Sequence, residues 1–210
     1  MTQAIAIEKL TLQSLKQAFD LQKTTEADFF FEWQTQLLPL THFEADRLAR
    51  IRAIYQNFEA RSALENTVSL TMVSPLLDAA GLFLPPFYLE TEKSVEIFAN
   101  DEKTLLRGRL DVLVIKDLLW VLTIESKRAG FSLAVGIPQV LAYMLAAPTP
   151  QKTLYGMVTN GRNFIFIKLD RRHQPIYAQS EELIVDRAND LEKTLQIIKR
   201  LADIAASSGD

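Results

Sequence analysis

Two apolar runs that end in charge constrain this chain more than any other feature. One is Asp111-Val112-Leu113-Val114-Ile115; the other runs from Leu119 to Ile124 and closes on Glu125-Ser126-Lys127. Both are rich in Val, Ile and Leu, and Lys116-Asp117 stands between them, so the pair reads as a hairpin at the centre of a sheet. Strand alternation places Val121, Thr123, Glu125 and Lys127 on one face and Leu122, Ile124 and Ser126 on the other. Asp111 opens the first strand, and a roughly symmetric register brings it back beside Glu125. Two carboxylates and one ammonium then meet at one end of the sheet, where charge is costly to keep without a use.

The rest of the pattern surrounds that hairpin with helices. Thr41 and Glu44 have capping-box spacing, and Leu48, Ile51, Tyr55 and Phe58 follow at helical intervals. A second helical stretch runs from about 63 to 80, with Ser74-Pro75 marking a kink or a fresh start. Gly81 suits a left-handed cap. Residues 88–97 read as a strand and 136–147 as a helix. The runs 154–159 and 164–169 flank Asn160-Gly161, a hairpin signal, and 191–205 reads as a last helix with Leu191, Leu195, Ile198 and Ala202 buried. This order predicts an α/β fold with a mixed central β-sheet flanked by helices. Residues 1–40 read as an N-terminal extension packing on the core, with a short amphipathic helix and the aromatic cluster Phe29-Phe30-Phe31 and Trp33. Residues 41–206 form the domain, and 207–210 read as a frayed tail.

Composition narrows the functional classes. A chain of 210 residues, 48% hydrophobic and 23% charged, can bury a sizeable core. It has no cysteine, which excludes disulfides and thiolate metal sites. No signal pattern follows Met1 and no apolar run spans a bilayer, so the expected location is cytoplasmic, with no membrane partner. The net charge of −3 argues against broad non-specific nucleic-acid binding but leaves room for a local basic surface. His42 and His173 have no partner at metal-ligand spacing, no Ser/His/Asp triad is visible, and with 7 glycines neither the Walker nor the dinucleotide loop occurs.

The chemistry therefore rests on Asp111, Glu125 and Lys127. Paired carboxylates repel each other and invite a hard divalent cation such as Mg2+, with the Ser126 carbonyl as a further oxygen ligand. Such a centre polarises a phosphoryl oxygen and activates water, and an adjacent Lys assists the nucleophile. The same residues also fit a plain Glu125–Lys127 salt bridge with Asp111 capping a strand.

The segments Ser74-Pro75-Leu76-Leu77, Gly108-Arg109-Leu110-Asp111, Glu125-Ser126-Lys127, Pro138-Gln139, Tyr143 and Thr159-Asn160-Gly161-Arg162, together with Glu65, resemble the PD-(D/E)xK nuclease superfamily. More narrowly, they resemble stand-alone bacterial relatives of the N-terminal nuclease domain of type I restriction enzyme R subunits. Leu110 replaces the Pro that often precedes the Asp. The resemblance covers about 41–169 and implies a restriction-endonuclease-like core. It implies a Mg2+-dependent DNA endonuclease of restriction or repair type, with Mn2+ able to substitute. Asp111 and Glu125 would bind metal, Glu65 would support it, Lys127 would handle the nucleophile, and Gln139 would orient Lys127 or the phosphate. Arg109, Arg128, Tyr143 and Arg162 would contact nucleic acid. Glu65 reads equally well as a solvated helix residue, Tyr143 as core, and each Arg as surface charge. DNA is the implied partner, alongside a partner subunit or a second copy in a homodimer. The alternative is a catalytically silent module of the same fold that binds nucleic acid or protein.

Overall fold

In chain order, the computed structural model contains β1 (Gln3–Ala6), α1 (Leu12–Phe19), β2 (Gln22–Lys23), α2 (His42–Phe58), α3 (Glu65–Val68), α4 (Ser74–Ala79), β3 (Phe87–Phe98), β4 (Thr104–Lys116), β5 (Leu119–Ser126), α5 (Ile137–Leu145), β6 (Thr153–Thr159), β7 (Asn163–Asp170), β8 (Ile176–Gln179), β9 (Leu183–Ile184) and α6 (Asp190–Ser207). All residues are described except 1–2, 59–62, 102, 118, 149–150 and 208–210.

The strands form one mixed sheet in the order β1-β4-β5-β6-β7-β8-β2, with β3 also on β4 and β9 on β7. The two apolar runs pair antiparallel as β4 and β5, Val112 opposite Ile124 and Leu113 opposite Thr123. β5 and β6 run parallel, so the chain must cross from one end of the sheet to the other, and α5 makes that crossing. β6 and β7 form the expected hairpin around Asn160-Gly161, Gly161 taking φ +85°.

Helices cover both faces. On one, Leu48 and Ile51 of α2, Leu76 and Leu77 of α4, and Leu195 and Ile198 of α6 pack on Val112, Val114, Leu122 and Ile124. On the other, Leu15 and Phe19 of α1 and Val140, Leu141 and Met144 of α5 pack on Leu113, Ile115, Leu154 and Ile167. The fold is thus a mixed α/β sandwich with a helical layer on each side of its sheet.

Local signals hold where they were strongest. Thr41 N–H donates to Glu44 Oε2 at 2.7 Å and Glu44 N–H donates back to Thr41 Oγ1 at 3.2 Å, which closes the capping box. Gly81 takes φ +77° after α4. The helical stretch expected over 63–80, with a kink or fresh start at Ser74-Pro75, is α3, a π-helical turn at Ser69–Val73, and α4, which starts at Ser74. Pro75 has no N–H to donate, and the wider turn just before it absorbs the break in the ladder.

Two departures concern the sheet. Asp111 does not open its strand, because β4 begins at Thr104. Of the first forty residues, β1 pairs parallel with β4 and β2 parallel with β8. Ser207 closes α6, and the rest of the expected tail, 208–210, lies outside the described residues. Among the described residues, no helix is long and apolar enough to cross a membrane.

Candidate active site

β4 changes neighbour at the position where its carboxylate stands. Along one side it pairs with β3, from Leu105 opposite Phe98 to Lys116 opposite Phe87. On its other side β1 takes Thr104–Arg107 and β5 takes Val112–Lys116. Gly108, Arg109, Leu110 and Asp111 lie in the interval between. Strands that part from a common neighbour open a crevice, the same geometry that makes switch points of α/β sheets into binding sites.

Polar groups that lack a ladder partner in this crevice are served by side chains. Asp111 Oδ2 accepts the Ser126 N–H at 2.7 Å, and the Arg109 carbonyl accepts the Tyr143 hydroxyl at 3.1 Å. Gly108 makes the second contact possible. A Cβ there would stand 2.8 Å from the Tyr143 hydroxyl and 2.8 Å from Ile7 Cβ. Across β4, the β3 register skips the pair Glu92–Asp111, and Glu92 takes φ +53°, so the edge strand kinks beside the carboxylate.

Glu125 is buried. Its Oε1 accepts from Lys127 Nζ at 2.6 Å, while Oε2 is buried with no hydrogen-bond partner. Burial first, then the neighbouring charge of Asp111, push the Glu125 carboxyl up to about 8 despite Lys127. Burial also raises the Asp111 carboxyl, against the pull of the Ser126 N–H and of Lys127. Burial, then the negative charge of Glu125, raises the Tyr143 phenol. Two carboxylates held this close in a dry place favour any partner that brings positive charge.

The surroundings fix this trio. The Lys127 N–H donates to the Thr159 carbonyl at 2.7 Å, which carries the β5–β6 ladder one residue past the strand. Gly136, just before α5, lets the helix start close over the Lys127 stem. A Cβ there would meet Val158 Cγ1 at 2.6 Å and Lys127 Cε at 3.2 Å. Ser69, in the π-helical turn, donates to Ser126 Oγ at 2.9 Å. A cleft of about 380 Å3 lies beside Asp111 and includes Ser69, Leu70, Phe83, Thr91 and Glu92.

The remaining expected site residues divide. Gln139 is buried in the first turn of α5, and its Oε1 has no hydrogen-bond partner. Glu65 is exposed at the start of α3, and its negative charge reaches both Asp111 and Glu125. Among the described residues no three carboxylate or histidine side chains converge on one point, so Glu65 does not join Asp111 and Glu125 in a cluster of three. Tyr143 is wholly buried and offers no surface to a nucleic acid; it holds the Arg109 backbone instead. The three arginines are exposed. Arg109 faces Glu92 at 3.5 Å, Arg162 faces Asp186 at 3.4 Å, and the Arg128 guanidinium lies 5.9 Å from the Phe131 ring centre.

Ser69, Glu92 and Gly136 also shape the site, and sequence reasoning missed all three. Gly136 alone left a signal, a glycine directly before Ile137-Pro138 where a helix must begin.

Among solved structures, a fragment of a putative HsdR subunit of a type I restriction enzyme from Vibrio vulnificus is similar over 68% of this chain. The identity is 18% and the TM-score 0.42. The match spans 26% of that structure's own chain. No family model and no curated protein matches the chain.

Proposed function

We propose that this protein is a Mg2+-dependent DNA endonuclease with a PD-(D/E)xK-type site on a restriction-endonuclease-like core, acting in restriction or repair. The observation that carries the reading is the buried, unpartnered Glu125 Oε2 beside Asp111. A buried carboxylate oxygen with no donor, next to a second carboxylate, is the donor set of a hard cation. Asp111 and Glu125 would hold Mg2+, with Mn2+ able to substitute, and Glu65 would support the cation or its water from α3. When bound, the cation supplies positive charge that polarises the scissile phosphoryl oxygen and acidifies water.

The chain's own residues do the rest. Asp111 is fixed by the Ser126 N–H, so its orientation survives the repulsion from Glu125. Lys127, paired with Glu125 and lying under Gly136, would hold the attacking water and offset charge that develops on the phosphate. Gln139 presents an amide from the first turn of α5 to orient Lys127 or a phosphate. DNA is the substrate class, and a second copy or a partner subunit would deliver the second cut of a duplex.

Cleavage of duplex, single-stranded and branched DNA in Mg2+, Mn2+ or EDTA tests this. Metal-dependent cutting that disappears in Asp111→Ala is the expected result. A silent binding module of the same fold is the rival, and the absence of a third converging ligand among the described residues favours it. It predicts DNA or protein binding with no cutting in any metal.

A further inference from the structure

We infer that a second cleft, between the loop that follows Lys127 and the turn at Asn160, binds one unpaired nucleotide of the substrate strand, with its base stacked on Phe131; this rests on the nuclease reading above. The cleft measures about 550 Å3, and its lining includes Phe131, Ser132, Asn160, Arg162, Asn163 and Glu182. Its walls are the two chain segments that leave the site. One is the loop that follows Lys127; the other begins at Asn160, directly after the Thr159 whose carbonyl holds the Lys127 amide.

The rim is built rather than loose. Asn160 Nδ2 donates to the Phe131 carbonyl at 2.8 Å, and its Oδ1 accepts from the Arg162 and Asn163 amides at 3.1 and 2.9 Å. One buried amide side chain thus ties both walls together. Ala129 N–H donates to the Ala63 carbonyl at 3.0 Å, and Gly130 turns the chain at φ +87°. These contacts hold the Phe131 backbone in place while the residue stays 51% exposed. A large half-exposed side chain on a fixed backbone adds little to the core, and the ring face that Arg128 leaves open can stack.

The chemistry around the ring selects the occupant. Arg128 lies over the ring, and Arg162, which also faces Asp186 at 3.4 Å, lines the cleft, so two guanidinium groups flank the path of a strand's phosphates. In the lining the Asn163 amide donates to the Glu182 carboxylate, and a base edge would meet this polar pair. An aromatic face with flanking cations is the recurring platform for unpaired bases. A base stacked inside a duplex cannot reach it, so the occupant is a nucleotide of a single strand.

The test measures binding of labelled oligothymidine, oligouridine and a blunt duplex in EDTA by the wild type, Phe131→Ala and Phe131→Trp. Single-strand affinity should fall about tenfold in Phe131→Ala and be kept in Phe131→Trp, with duplex binding unchanged. The two single strands separate DNA from RNA as the source of the nucleotide. Single-strand binding by Phe131→Ala as tight as wild type overturns the proposal, as does a wild-type preference for the blunt duplex. Cutting in Mg2+ is followed in parallel. Wild-type cutting that Phe131→Ala leaves unchanged on single strands keeps the nuclease reading and overturns this one. Loss of single-strand binding in Phe131→Ala with no wild-type cutting keeps the stacking site and overturns the nuclease.

Discussion

Asp111 Oδ2 accepts the main-chain N–H of Ser126 at 2.7 Å. Ser126 stands between Glu125 and Lys127, so this single bond fixes one carboxylate against the residue that separates the other two charged groups. The fold thereby holds together two carboxyl groups whose charged forms repel, at a cost to stability.

Asp111→Asn tests that cost. The Asn oxygen still accepts the Ser126 N–H, and the charge that raises Glu125 is gone. The variant should melt at or above the wild-type temperature at pH 8 while losing all metal-dependent cutting. Calorimetry and a cleavage assay check it. A fall in Tm beyond about 5 °C shows that Asp111 is structural.

Glu125 fixes the sign of the pH dependence. Its carboxyl titrates near 4.5 in an open chain and at about 8 in the fold. Between those values the folded protein keeps a proton that the unfolded chain has released. Stability should therefore fall as pH rises across that window and level off above it. The raised Asp111 carboxyl acts in the same direction. A divalent cation competes with the same protons, so its stabilising effect should grow with pH over this interval. Thermal melts with Mg2+ or EDTA across the range decide the matter; a metal-free Tm that climbs with pH contradicts it.

Lys127→Met should be nearly silent for stability near pH 6, where Glu125 carries a proton and needs no cation. Above pH 8 the lost ion pair matters, but protonation of Glu125 caps the cost, about 1–2 kcal/mol near pH 9. Urea unfolding at both pH values measures this. Cutting should be lost at either.

Gly136→Ala forces a methyl against Val158 and the Lys127 stem. Overpacking of this kind costs about 1–3 kcal/mol, and it should also shift Lys127. The expected signature is a lower kcat with KM little changed, from a residue that touches no substrate. A destabilised variant with unaltered kcat would place Lys127 outside the chemistry.

Much of this site was legible because its signals are local. The apolar runs, the Lys116-Asp117 turn and the Thr41–Glu44 box each lie within a few residues, and the Val112–Ile124 register carries Asp111 to Glu125. The first half of β4 was not legible. Arg107 and Arg109 interrupt its apolar pattern because they face Glu96 and Glu92 on an exposed edge strand. β1, β2, β8 and β9 are two to four residues long, and no local pattern names their partners. Gln139 and Tyr143 share a helical face as their spacing required, but spacing does not reveal depth, and Tyr143 is buried against Gly108.

The pairings of β1 and β2 dictate an order of events during synthesis. Gln3 pairs with Thr104, and Gln22 pairs with Ile176. Both strands leave the ribosome early and must wait for partners made much later. Such distant pairings close slowly, and until residue 176 has emerged the nascent sheet has bare backbone at that edge. A ribosome stalled before that point would therefore display an unsealed sheet edge, the kind of surface that seeds aggregation.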